Sequence, residues 1–206
     1  MLPIEKKKYA CSLCVMAAAV SFLGFLLENL WLFFARGVID NRNMRAPFLY
    51  GYGIGIVLLY LLAGTPSRFM PFVRRGEDGK RIPEGYRYLL YFLLSFAAVT
   101  VSELSLGFAF ELVMGFDYWD YSALPLNITK YSSVFTSLGF GIVITLFMEF
   151  GFSRLLDLFL RLPYRMSRLM AVALSAVLSA DLVFSFYEMY SSGGLNILWQ
   201  IRLPWA

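Results

Sequence analysis

Residues 88–115 read YLLYFLLSFAAVTVSELSLGFAFELVMG, and this run decides the fold class. Its only charges are Glu103 and Glu111. At about 1.5 Å per residue, a helix of this length exceeds the roughly 30 Å of hydrocarbon in a bilayer. Four more apolar runs accompany it, at about 9–35, 47–63, 132–151 and 169–190. The second is at the short limit for a span. Composition agrees: 59% of the 206 residues are hydrophobic and 16% are charged. Soluble domains average about 45–50% and about 25%. A disordered chain and an ordinary soluble enzyme are excluded. The expected fold is an all-α membrane protein, a bundle of about five transmembrane helices in one domain covering 1–206.

The connectors set the expected orientation. Thirteen of the 18 Lys and Arg precede the first run or fall in 64–87 and 152–168. The other five are Arg36, Arg42, Arg45, Lys130 and Arg202. Cations concentrate on the cytoplasmic side. The N-terminus is therefore expected inside and the C-terminus outside, with outer loops at 36–46 and 116–131 and an outer tail at 191–206. Topology explains the net charge of +4 better than a nucleic-acid partner does. Lys6–Lys8 resemble the start of a signal peptide, but the apolar run that follows is too long for one. The charged stretch from Arg74 to Arg81 reads as a turn anchoring topology, or as a dock for a cytoplasmic partner. Trp199 and Trp205 suit an interfacial tail.

The chemistry resides in acids within the runs. Glu28, Glu103, Glu111, Glu149, Asp181 and Glu188 all lie there, and a charge at membrane depth is costly unless paired, wet or neutral. Glu103, Gly107 and Glu111 are spaced i, i+4, i+8 and share a helix face. Gly107 leaves room between the two carboxylates for another helix or a ligand. Glu149 reads as an interfacial residue near Arg154. Arg36, Arg42 and Arg45 are natural partners for acids near the outer surface. Three readings stay open for this set: a buried polar network that fixes packing, a pocket for a cationic or polar solute, and proton coupling through a carboxylate with a raised pKa. In the pocket reading Glu28, Glu103 and Glu111 bind a cation or amine. Arg42 and Arg45 hold the acids or an anionic group, and Trp119 and Tyr121 form a wall. Asp120, Asn127 and Asp181 complete the set. Loop 116–131 reads as an interfacial re-entrant segment. Gly51 and Gly55 form a small-xxx-small pair suited to helix contact.

The chain has no histidine, so acid–base work would fall to Glu or Asp. Cys11 and Cys14 read as packing residues. No cofactor is expected, and a metal is left undetermined.

Three blocks resemble the Putative ABC-transporter type IV (CmpB-like) family of small bacterial membrane proteins. They are Gly24-Phe-Leu-Leu-Glu28, Asn41-Arg42 with Pro47-Phe-Leu-Tyr50-Gly51-Tyr-Gly53, and Glu111-Leu-Val-Met-Gly115 followed by Trp119-Asp120-Tyr121-Ser122 and Pro125-Leu-Asn127. Phe25 stands where the family has Trp, and Asn43-Met44-Arg45 replaces Gly-Phe-Leu. The resemblance implies a permease component in a bacterial plasma membrane. The chain has no P-loop, so a transporter of this kind implies a separate ATP-binding subunit. Expected partners are membrane lipid, a second copy of the chain or such a subunit, and a small solute or cation. The alternative functions are a membrane enzyme acting on a lipid headgroup, with a carboxylate pair able to hold Mg²⁺ or Mn²⁺, and a non-catalytic sensor or assembly factor.

Overall fold

The computed structural model describes residues 3–69 and 83–202. The charged stretch from Arg74 to Arg81 and Trp205 lie outside the described residues. Among the described residues, five helical segments are long and apolar enough to cross a membrane. They are α1 (Pro3–Arg36), α2 (Tyr50–Ala63) with a following 3₁₀ turn, α3 (Glu84–Met114), α4 (Val134–Leu146) continuing into α5 (Ser153–Arg161), and α6 (Tyr164–Ser192). The fourth helical segment therefore does not stop near 151. It runs to Arg161 through a π-helical turn, Phe147–Phe152.

The chain forms two compact units, Met1–Leu58 with Leu155–Ala206, and Leu59–Arg154. In the first, α1 packs along α6. Buried Ser167, Ala171, Asp181, Ser185 and Met189 of α6 recur at helical spacing and form its inner face. Val15, Met16, Ala18 and Ser21 of α1 are buried as well. Strand β1 (Val38–Asp40) follows α1 and pairs antiparallel with β4 (Gln200–Arg202), Ile39 opposite Ile201. Within the segment read as an interfacial tail, residues 200–202 are thus paired with the first connector.

The glycines that matter for close packing are Gly53 and Gly24. A Cβ on Gly53 would overlap the Ala17 carbonyl and Ser21 Oγ, and one on Gly24 would overlap the Tyr52 ring. Among the described residues nothing lies within 4 Å of a Cβ at Gly51 or Gly55, so the close contact within this unit falls at Gly53 and Gly24 and not at the small-xxx-small pair.

In the second unit α3 packs against α4, with Gly141 against Phe92 and Phe96. The connector 116–133 leads from α3 to α4. It closes in a short hairpin, β2 (Asn127–Thr129) with β3 (Ser132–Ser133), and the Ser133 side chain caps α4 through the Phe135 amide. Glu149, expected beside Arg154, sits in the π turn and accepts the Ser67 amide at 3.0 Å. The Ser67 carbonyl accepts from Arg87, and the buried Tyr91 hydroxyl donates to the Gly64 carbonyl. The connector after α2 is therefore tied to both α3 and the π turn.

Gly53→Ala should destabilise the protein by about 1–3 kcal/mol, because its nearest neighbour is backbone that cannot rotate away. Gly51→Ala and Gly55→Ala should be neutral or slightly stabilising. Thermal unfolding in detergent measures all three; equal losses would refute the assignment of the contact to Gly53.

Candidate functional site

The expected site residues fall into two networks, one in each unit. In the first, the loop 37–49 is held from three sides. Glu28, near the end of α1, accepts the Tyr52 hydroxyl at 2.5 Å and pairs with Arg42 at 3.2 Å. Asn29 Oδ1 accepts the Asp40 amide, and Asp40 in turn accepts the Arg42 amide. Arg42 and Asn43 both adopt left-handed backbone, with φ of 49° and 62°. Asn tolerates this conformation well, whereas Arg is there at a cost, and the bonds from Glu28 and Asp40 to Arg42 hold it.

Asn41 is fully buried and explains the Asn-Arg block of the sequence. Its amide donates to the carbonyls of Met44 and Asn196, and its oxygen accepts the Leu198 amide. One side chain thus fastens the loop to itself and to the segment after α6.

Asp181, also buried, anchors the loop from α6. Its Oδ1 accepts the Arg45 and Ala46 amides, both at 3.0 Å, and lies 3.4 Å from the Ser185 hydroxyl. Its Oδ2 accepts Tyr50 at 2.5 Å. A carboxylate has about four acceptor positions, and protein donors occupy that number here. One turn on from Ser185, Glu188 takes the Arg45 guanidinium and the Asn196 amide. A recess of about 210 Å³ lies beside the loop, with Phe25, Met44, Arg45, Pro47 and Trp199 in its wall.

The second network closes the end of α3. Tyr131 is fully buried, and its ring occupies the space that Gly107 leaves; a Cβ there would overlap it. The room between Glu103 and Glu111 is therefore taken by a tyrosine from the chain itself. Its hydroxyl donates to Glu111 and Asp117, both at 2.6 Å. Lys130 reaches the same two acids at 2.8 and 2.9 Å. The three charged side chains remain 34–41% exposed. Trp119 packs its ring edge-on to Tyr131 and donates to the Tyr131 carbonyl. Glu103 accepts from buried Ser132, which continues through Ser137 to Thr100.

The remaining expected residues are peripheral to these bonds. Asp120 caps its own turn through the Ser122 amide, the Tyr121 amide bonds the Lys130 carbonyl, and Asn127 is an exposed strand residue. Lys130, Tyr131, Asp117, Tyr50 and Tyr52 complete the networks; the sequence did not mark them as site residues, although Tyr50 and Tyr52 lie in the family-like block 47–53. Gly107 between two acids was the one signal, since such a gap needs a filler.

Electrostatics follow from this geometry. The Tyr131 hydroxyl and the Lys130 ammonium hold the Asp117 carboxyl below its usual 3.8. Glu111 and then Asp117 push the Lys130 ammonium well above its ordinary range. Burial, followed by the bonds to the two acids, raises the Tyr131 hydroxyl to about 12. Among the described residues no group of three or more His, Cys, Asp or Glu could hold a metal ion.

Five apolar helical segments, with acids near their ends satisfied by loop donors, define a multi-pass membrane protein. The chain belongs to the family described as Putative ABC-transporter type IV, which matches residues 15–186. No curated protein and no solved structure matches it.

Asp181→Ala should cost about 3 kcal/mol, because it strands buried donors of the loop. Hydrogen exchange should speed up at the Arg45 and Ala46 amides, while those of α3 stay protected. Unchanged exchange at these amides would exclude Asp181 as the anchor.

The second network predicts a pH dependence at both extremes. Asp117 has a lowered folded pKa, so its contribution is present above 3.8 and fades as pH falls through the depressed value. Tyr131 and Lys130 have raised folded pKa values, so their contributions are present below about 10 and fade as pH rises towards 12. Unfolding midpoints measured from pH 3 to 11.5 should fall at both ends, and Asp117→Asn should flatten the acid limb. An acid limb unaltered in that variant would rule out the assignment.

Proposed function

We propose that this protein is the membrane-embedded component of a bacterial plasma-membrane transporter, with the N-terminus cytoplasmic, and that the Lys130 network is where a small cationic solute is received. The family supports the transporter reading, and the thirteen-to-five division of cations supports the orientation. ATP hydrolysis would belong to a separate subunit, because the chain has no P-loop.

One observation carries the choice of solute: a primary ammonium already sits between two carboxylates held by a buried phenol, and the ammonium and both carboxylates are partly open to solvent. A solute with the same ammonium group could make these contacts by displacing the lysine. Glu111 is the principal acceptor, Asp117 the second, and Tyr131 holds both acids in place. Glu103 sets the hairpin through Ser132, and Trp119 fixes the Tyr131 carbonyl. Asp120, Tyr121 and Asn127 shape the surrounding loop. Glu28, Arg42, Arg45 and Asp181 act in the other unit, where their bonds keep the loop 37–49 and its recess in shape.

The test is thermal stability of purified protein with spermidine, putrescine, lysine, Mg²⁺ and Na⁺. A ligand at about a hundred times its Kd adds about 2.7 kcal/mol, a rise of roughly 5–10 °C for a chain of this size. Lys130→Met removes the internal competitor and should strengthen the response to amines, whereas Glu111→Gln and Asp117→Asn should abolish it. An amine response that survives both acid substitutions would place the solute elsewhere.

A further inference from the structure

We infer that the first unit holds an anionic phospholipid: one acyl chain lies in the groove between α1, α5 and α6, and the phosphate lies on Arg161, Arg165 and Arg168. This goes beyond the transport reading and does not depend on it. The groove measures about 260 Å³, and Val15, Ala18, Phe22, Phe159, Met170 and Leu174 line it. Every one of these side chains is apolar, in helices apolar enough to cross a membrane, so the matching occupant is hydrocarbon.

The cations at one end of this unit select the headgroup. Strands β1 and β4 follow the C-terminal ends of α1 and α6 and pair with each other. The two helices therefore run in the same sense, and their N-terminal ends share the opposite end of the unit. That end carries Lys6, Lys7, Lys8, Arg161, Arg165 and Arg168, against Glu5 and Asp157. The three arginines are exposed, and among the described residues none has an ion pair or side-chain hydrogen bond. Arg168 precedes the groove residue Met170 by two positions and Arg165 by five, about 3 and 8 Å along the helix. Arg161 follows Phe159 by two. A phosphate joined to a chain in the groove lies within reach of such side chains. The N-terminus of α6, which has no side-chain cap, adds the favourable end of a helix dipole. Topology anchoring alone explains cations at this end but gives no reason for an apolar groove beside them. Basic clusters between transmembrane helices are a recognised chemistry for acidic headgroups.

Native mass spectrometry of the full chain in detergent tests the inference, with phosphatidylglycerol and phosphatidylcholine of identical chains as probes. Wild type should bind phosphatidylglycerol at least about tenfold more tightly, given roughly 1 kcal/mol per basic residue near the phosphate. R161Q/R165Q/R168Q should bring the ratio close to one. Ala18→Phe fills the groove and should weaken phosphatidylglycerol binding with every charge retained. If the triple variant does not fold, R165Q and R168Q singly should each lower the ratio about threefold. Equal binding of the two lipids by wild type overturns the proposal, as does a preference that survives the arginine substitutions. Affinity unaffected by Ala18→Phe overturns the groove as the chain site. Competition by millimolar glycerol phosphate, which has no acyl chain, would show a site for free anions instead.

Discussion

A carboxylate carried by an apolar helix must find donors, and the fold of this protein is organised by how it supplies them. Helices satisfy their own backbone but not their acids. Glu28, Asp181 and Glu188 in one unit, and Glu103 and Glu111 in the other, are each met by groups from loops or neighbouring helices. The loops acquire their shape in return. A left-handed Arg42 and a two-residue hairpin turn at Lys130–Tyr131 persist because the acids bind what those conformations present.

Small residues and tyrosines work as pairs in both units. Gly24 receives the Tyr52 ring, and the hydroxyl of that ring reaches Glu28. Gly107 receives the Tyr131 ring, and that hydroxyl reaches Glu111. In each case a glycine lets an aromatic body lie flat on a helix so that its polar tip meets an acid one turn further on. The ring excludes water while the hydroxyl provides the donor, which suits tyrosine better than serine or lysine alone.

The sequence made the helices legible because length and hydropathy are local properties. Residues 88–115 announce a span without reference to anything else, and the i, i+4, i+8 spacing of Glu103, Gly107 and Glu111 puts them on one face whatever surrounds them. What fills that face was not legible, because Tyr131 arrives from 20 residues beyond Glu111 through a hairpin too short for a periodic signal. Asp181 is a stronger case. Its donors at Arg45 and Ala46 are 136 and 135 residues away, so a lone intramembrane acid could be read equally as ligand or as anchor. The π turn at Phe147–Phe152 gave no sign in composition either, since apart from Glu149 its residues continue the apolar run of α4.

The bonds between Asn41 and the segment after α6 span 155 and 157 residues. At about 5–20 residues per second, the ribosome would take roughly 8–30 s to make the partners of a loop already translated. During that interval the α1–α2 connector lacks Asp181, Glu188, Asn196 and β4, and nothing local replaces them. Closure of this unit therefore waits until α6 and the segment after it have been made, even if every helix inserts as it is made. A nascent chain stalled before α6 would expose an unfastened loop to membrane quality control.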